Sequence, residues 1–108
     1  MEDVIYGLAE VIKMRKENPE EGSYTCYLFE KGLDKILKKC GEECTEMVIA
    51  AKNPSKEDLA GEIADLTYHV LVLMEEYGLS VDAVRDVLAE RRKKLGNLKT
   101  FHVTDKNT

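Results

Sequence analysis

Two long stretches of this chain repeat apolar residues at helical spacing, and only the short turn around Asn53-Pro54 separates them. The first, Leu33 to Lys52, carries Leu33, Ile36, Leu37, Cys40, Cys44, Met47, Val48 and Ala51 as one stripe. The second, Lys56 to Tyr77, carries Leu59, Ile63, Leu66, Val70, Leu73, Met74 and Tyr77. Periodicity near 3.6 residues over this length specifies amphipathic helices. Pro54 stops the first, because a proline disfavours the helical region for the residue before it. Ser55-Lys56-Glu57-Asp58 opens the second, a variant of the capping box. Two long helices joined so tightly must fold back into an antiparallel hairpin. The chain is therefore expected to be all-α, with this hairpin as its core.

The remaining segments fit the same class. Val4, Ile5, Leu8, Val11 and Ile12 predict a helix from Asp3 to Glu17, which Asn18-Pro19 ends. After a loop, Pro19 to Gly22, a short helix is expected from Cys26 to Glu30, with Gly32 as a break. Gly78 reads as a C-cap and Ser80 as an N-cap, and Asp82 suits a helix N-terminal dipole. The helix so begun has Val81, Val84, Val87 and Leu88 on one face. The reading is a bundle of four to five helices in one domain over residues 1–95, followed by a flexible tail, 96–108. A chain of 108 residues buries only a small core. Val70 to Met74 is an unbroken apolar run, so that helix is buried on several sides. The size of the chain favours a homodimer as the second covering surface.

Charge and composition exclude several roles. The formal net charge is −5, which argues against nucleic acid as a partner. No stretch approaches a membrane span, and Met1 to Glu10 lacks the basic start and apolar run of a signal peptide. Three cysteines, an odd number, suit reduced thiols in the cytoplasm. Cys40 and Cys44 lie on the apolar stripe and read as small core residues.

The informative chemistry lies between Gly41 and His69. One helix carries Glu42-Glu43-Cys44-Thr45-Glu46, the other Glu62-Ile63-Ala64-Asp65. Glu43 and Glu46, and likewise Glu62 and Asp65, are three residues apart and share a helix face. In the hairpin, facing residues have numbers that sum to about 108, which sets Glu43 against Asp65 and Glu46 against Glu62. Four carboxylates on the groove edge repel one another unless a cation sits among them. Oxygen-only ligands favour Mg²⁺ over Zn²⁺, whose sites usually include His or Cys. A solvated acidic face is the alternative that spacing alone leaves open. Lys39 lies one turn before Glu43 and His69 one turn after Asp65, on the same strip. Lys39 is open to an ordinary ion pair or to a phosphate contact, His69 to a satisfied core position or to a substrate contact.

Several segments resemble one known family. Ser23-Tyr24-Thr25, Lys31-Gly32-Leu33-Asp34-Lys35-Ile36-Leu37-Lys38-Lys39, Gly41-Glu42-Glu43-x-x-Glu46, Ala50-Ala51-Lys52 and Glu62-Ile63-Ala64-Asp65-Leu66-x-Tyr68-His69 look like the phosphoribosyl-ATP pyrophosphatases. The resemblance runs from about Val4 to Leu95. The paired acids alone are shared with MazG-type nucleoside triphosphate pyrophosphohydrolases. Cys26, Cys40 and Cys44 depart from the family pattern without touching the acids. The resemblance implies an α-helical homodimer that depends on Mg²⁺, with Mn²⁺ as a substitute. It implies hydrolysis of phosphoribosyl-ATP to phosphoribosyl-AMP and pyrophosphate, a step of histidine biosynthesis.

On this reading Glu43, Glu46, Glu62 and Asp65 are the metal ligands, and one of these glutamates, or Glu42, orients the attacking water. Ser23, Tyr24, Thr25, Lys38, Lys39, Lys52 and His69 are the candidate substrate contacts. The run Arg91-Arg92-Lys93-Lys94 is open to phosphate holding or to a solvated helix end. Two other readings stand beside it: a housekeeping triphosphate pyrophosphohydrolase, and a non-catalytic helical module whose acids are only a solvated face.

Overall fold

The computed structural model describes residues 3–95, and the expected tail lies outside the described residues. Five helices follow one another: α1 (Val4–Glu17), α2 (Tyr24–Lys31), α3 (Leu33–Ala51), α4 (Lys56–Tyr77) and α5 (Val81–Lys94). Local chemistry sets their ends. Asp3 accepts from the backbone N–H of Ile5 at 2.9 Å and starts α1. Ser23 accepts from Cys26 N–H at 3.2 Å, so α2 begins at Tyr24, two residues earlier than expected. Ser55 and Ser80 cap α4 and α5 in the same way. Gly32, at φ 90° and ψ −172°, occupies backbone space closed to side-chain-bearing residues and lets α3 start directly after α2. Gly78 ends α4 in the left-handed conformation.

The hairpin of α3 and α4 is the most extensive helix pair, and α1 and α2 pack across it. Ile12, Leu28, Ile36, Leu71, Val72 and Met74 form the buried core, drawn from all four helices. No helix among the described residues is long and apolar enough to cross a membrane.

One expectation about the core is corrected. The inward edge of α3 is Ile36, Glu43 and Ala50, stepping by seven residues, rather than the whole apolar stripe. Leu37, Val48 and Cys44 are exposed and Cys40 is half-buried, so Cys44 is not a core residue of the single chain. The helix turned its acidic flank, and not only its apolar stripe, toward α4. Helix α5 has no buried residue: Val84, Val87 and Leu88 are exposed. It is attached at its start, where Val81 meets the core, Tyr6 bonds Asp82, and Arg85 donates to the Tyr6 hydroxyl at 2.6 Å.

Candidate active site

Glu43, on α3, is only 7% exposed, unusual for a carboxylate. It faces Glu62 and Asp65 of α4, and one oxygen from each of the three lies within 4.8 Å of the others. Glu62 is half-buried and Asp65 exposed, so the cluster opens from the helix interface to solvent. The buried Oε2 of Glu62 has no hydrogen-bond partner among the described residues. Repulsion among three carboxylates at this spacing is on the order of a few kcal/mol at intermediate dielectric. A buried, unpaired carboxylate oxygen adds a further desolvation cost. A divalent cation removes both penalties, and an oxygen-only donor set suits Mg²⁺. The residues present therefore fit a hard metal ion.

Glu46 stands beside this trio rather than within it. It is exposed and lines an open groove of about 540 Å³ with Ile49, Asn53, Asp58, Glu62 and Asp65. A hydrogen-bonding contact with Glu43 holds its carboxyl above the usual range; the charges of Glu43 and Glu62 add to this, and Lys39 opposes it. Glu42 is exposed and lies 4.0 Å from the Lys39 ammonium.

The Lys39 Nζ is 3.5 Å from Glu43 Oε1. Slight burial works against its charge, but Tyr24, Glu42 and Glu43 outweigh that and raise its pKa above the ordinary lysine value. Lys39 thus offsets part of the acidic charge at the inner end of the strip. Lys38 and Lys52 are exposed and make no ion pair among the described residues. In the basic run at the end of α5, Lys93 pairs with Glu90 at 3.5 Å.

His69 is 5% exposed and satisfied at both ring nitrogens. Nδ1 lies 2.7 Å from the Asp65 carbonyl, which can only accept, so Nδ1 carries the proton. The other ring nitrogen, Nε2, lies 2.9 Å from the Tyr24 hydroxyl. This contact orients the turn of α4 that carries Asp65 and leaves the ring no free nitrogen. Burial pushes the Tyr24 phenol up, with Lys39 opposing.

The hydroxyls of the Ser-Tyr-Thr segment are all engaged. Ser23 caps α2, Tyr24 bonds His69, and the Thr25 hydroxyl bonds that of Tyr68. Tyr68 did not figure among the candidate residues. It stacks at 6.1 Å on Tyr24 and meets His69 edge-on at 4.9 Å, tying α2 to α4. Burial raises its pKa, and the Thr25 contact lowers it. The signal for it was its position one residue before His69 and three after Asp65, on the face turned toward α2.

Comparison with known proteins bears on what this arrangement does. The sequence model of the phosphoribosyl-ATP pyrophosphohydrolase family matches residues 5–92. A phosphoribosyl-ATP pyrophosphatase of Clostridium novyi is 56% identical over 97 residues, 90% of this chain and 88% of its own length. That of Lactiplantibacillus plantarum is 58% identical over 92 residues, 85% of this chain and 87% of its own. That of Listeria welshimeri is 61% identical over 88 residues, 82% of this chain and 84% of its own.

Proposed function

Because the chain belongs to the phosphoribosyl-ATP pyrophosphohydrolase family, we propose that it hydrolyses phosphoribosyl-ATP to phosphoribosyl-AMP and pyrophosphate in histidine biosynthesis, with Mg²⁺ held by Glu43, Glu62 and Asp65. The observation that carries the site assignment is the carboxylate trio within 4.8 Å, with a buried Glu62 oxygen that has no partner among the described residues. When bound, the ion supplies charge neutralisation for the leaving pyrophosphate and acidifies water near it.

The chain's own residues do the rest. Glu43 is fixed from behind by Lys39, which keeps its carboxylate aimed across the hairpin. The Asp65 backbone is fixed by His69, and His69 by Tyr24. Positioning of this kind is most of what a phosphoryl-transfer enzyme contributes. Glu46, exposed at the rim, either completes the ligand set or orients the attacking water and takes its proton. Comparing Glu46→Gln with Glu46→Ala separates these roles: lost turnover with Mg²⁺ binding retained makes it the base, and loss of both makes it a ligand.

A second copy of the chain completes the fold in this reading. Leu33, Leu37, Cys40, Cys44, Met47 and Ala51 on α3 alternate by four and three residues, as do Leu59, Ile63, Leu66, Val70, Leu73 and Tyr77 on α4. At 3.6 residues per turn each stripe follows one side of its helix; Cys40 and Leu73, at the edge, pack against the core, and the rest of the two stripes is taken as one side of the hairpin. Leu37, Ile63, Val70 and Tyr77 on that side are exposed in the single chain. Two such faces packed together make a four-helix bundle.

The test is pyrophosphate release from phosphoribosyl-ATP with and without Mg²⁺. Equal efficiency on ATP and other common triphosphates would favour the housekeeping activity instead. No saturable Mg²⁺ response would reduce the acids to a solvated face.

A further inference from the structure

A second polar feature lies at the other end of the strip. Tyr24 and Tyr27 share one face of α2, their rings stacked at 6.1 Å with an interplanar angle of 24°. Both rings are partly open to solvent: Tyr24 is 45% and Tyr27 40% exposed. Two ammonium groups converge on Tyr27, Lys31 at 5.8 Å and Lys35 at 5.9 Å from its centroid. Lys31 comes from α2 and Lys35 from α3, and the positive-φ turn at Gly32 brings them to the same ring. Neither lysine has a carboxylate partner among the described residues, in a chain with 21 acidic residues. Two like charges gathered around an exposed aromatic step form a surface for a planar anion.

The step leads directly to the acids. Lys35, Lys39 and Glu43 follow one another at four-residue intervals on α3, so Lys35 lies about 12 Å along the axis from Glu43. Tyr24 bridges the same gap through His69 to the Asp65 backbone. The strip therefore runs from metal-fitting carboxylates, through aromatic rings, to a pair of lysines.

We propose that Tyr27, Lys31 and Lys35 form the specificity subsite of this enzyme, where the purine stacks on the tyrosine step and the two lysines hold the phosphate of the ribose attached to the purine ring. The inference rests on the function proposed above. Phosphoribosyl-ATP differs from ATP by that one added ribose phosphate, so discrimination requires cations on the far side of the base from the triphosphate. A base stacked on an aromatic ring, and a charge-assisted contact to phosphate, are each worth on the order of tenfold in binding or more.

The experiment is to measure kcat/KM for phosphoribosyl-ATP and for ATP in the wild type, Lys31→Ala, Lys35→Ala, Lys35→Arg, Tyr27→Ala and Tyr27→Phe. Phosphoribosyl-AMP serves as a competing ligand in the same assays. The ratio of the two kcat/KM values should fall on the order of tenfold in each lysine-to-alanine variant and in Tyr27→Ala. Lys35→Arg and Tyr27→Phe should largely restore it, and inhibition by phosphoribosyl-AMP should weaken in parallel. Lys13→Ala, on the exposed face of α1, controls for general loss of positive charge. A wild type that discriminates, with variants that keep its ratio and its inhibition, overturns the subsite alone. A wild type that does not prefer phosphoribosyl-ATP overturns the subsite together with the substrate assignment.

Discussion

The Tyr24 hydroxyl reaches Nε2 of His69 at 2.9 Å, across 45 residues of sequence, and His69 in turn bonds the carbonyl of Asp65. One bond thus couples the short second helix to the turn of α4 that presents the acids. Tyr24→Phe removes the hydroxyl and leaves a buried ring nitrogen unsatisfied. The expected cost is about 1–3 kcal/mol in urea unfolding, with a lower kcat/KM for phosphoribosyl-ATP. Unaltered stability would mean that the bond does not hold α2 to α4 in solution.

The acidic trio predicts opposite effects on activity and stability. Asp65→Ala or Glu46→Ala should abolish Mg²⁺-dependent turnover with the helical circular dichroism spectrum intact. In metal-free buffer Asp65→Ala should unfold at a higher temperature than the wild type, because one of three mutually repelling carboxylates is gone. Adding Mg²⁺ should raise the wild-type melting temperature and leave that of the variant nearly unmoved. Near-normal turnover in both variants would remove the metal assignment.

The exposed apolar side of the hairpin predicts the oligomeric state. Light scattering at micromolar concentration should give a dimer. Leu37→Glu combined with Ile63→Glu should give a monomer of reduced stability, since each apolar side chain buried contributes about 1.5–3 kcal/mol. A wild type that scatters as a monomer would refute the bundle of two hairpins.

Alkaline pH should weaken the fold. Burial holds the phenols of Tyr24 and Tyr68 above their ordinary value, so the folded state favours the neutral form. The sign follows: their contribution is complete below the unfolded value of about 10 and is lost as pH rises through the higher folded values. Lys39, whose charged form the fold favours, loses its contribution over the same range. The urea midpoint should therefore decline above about pH 10, and Tyr68→Phe should flatten that decline. A midpoint independent of pH in this range would mean that the fold does not favour the neutral phenols.

Helix positions, the hairpin and the facing of Glu43 with Asp65 were legible in the sequence, because they follow from the period of the helix and from local stop and start signals. Ser55 and Ser80 cap their helices with hydroxyls only three residues from the N–H they accept. Such short-range chemistry needs no knowledge of the rest of the chain. Tertiary structure decided which flank of each helix turns inward. An apolar stripe marks a surface that must be covered without saying by what, so Cys44 and Leu37 read as core and stand exposed. The rotation of α3 buries Glu43 beside Glu62 and leaves Glu46 at the rim, a distinction that four equally spaced acids do not contain. Tyr68 with Thr25, and Tyr27 with Lys35, are pairs from different helices. Their meeting depends on the packing of α2 on α4 and on the turn at Gly32, and the energy of that packing belongs to the whole fold rather than to any one segment.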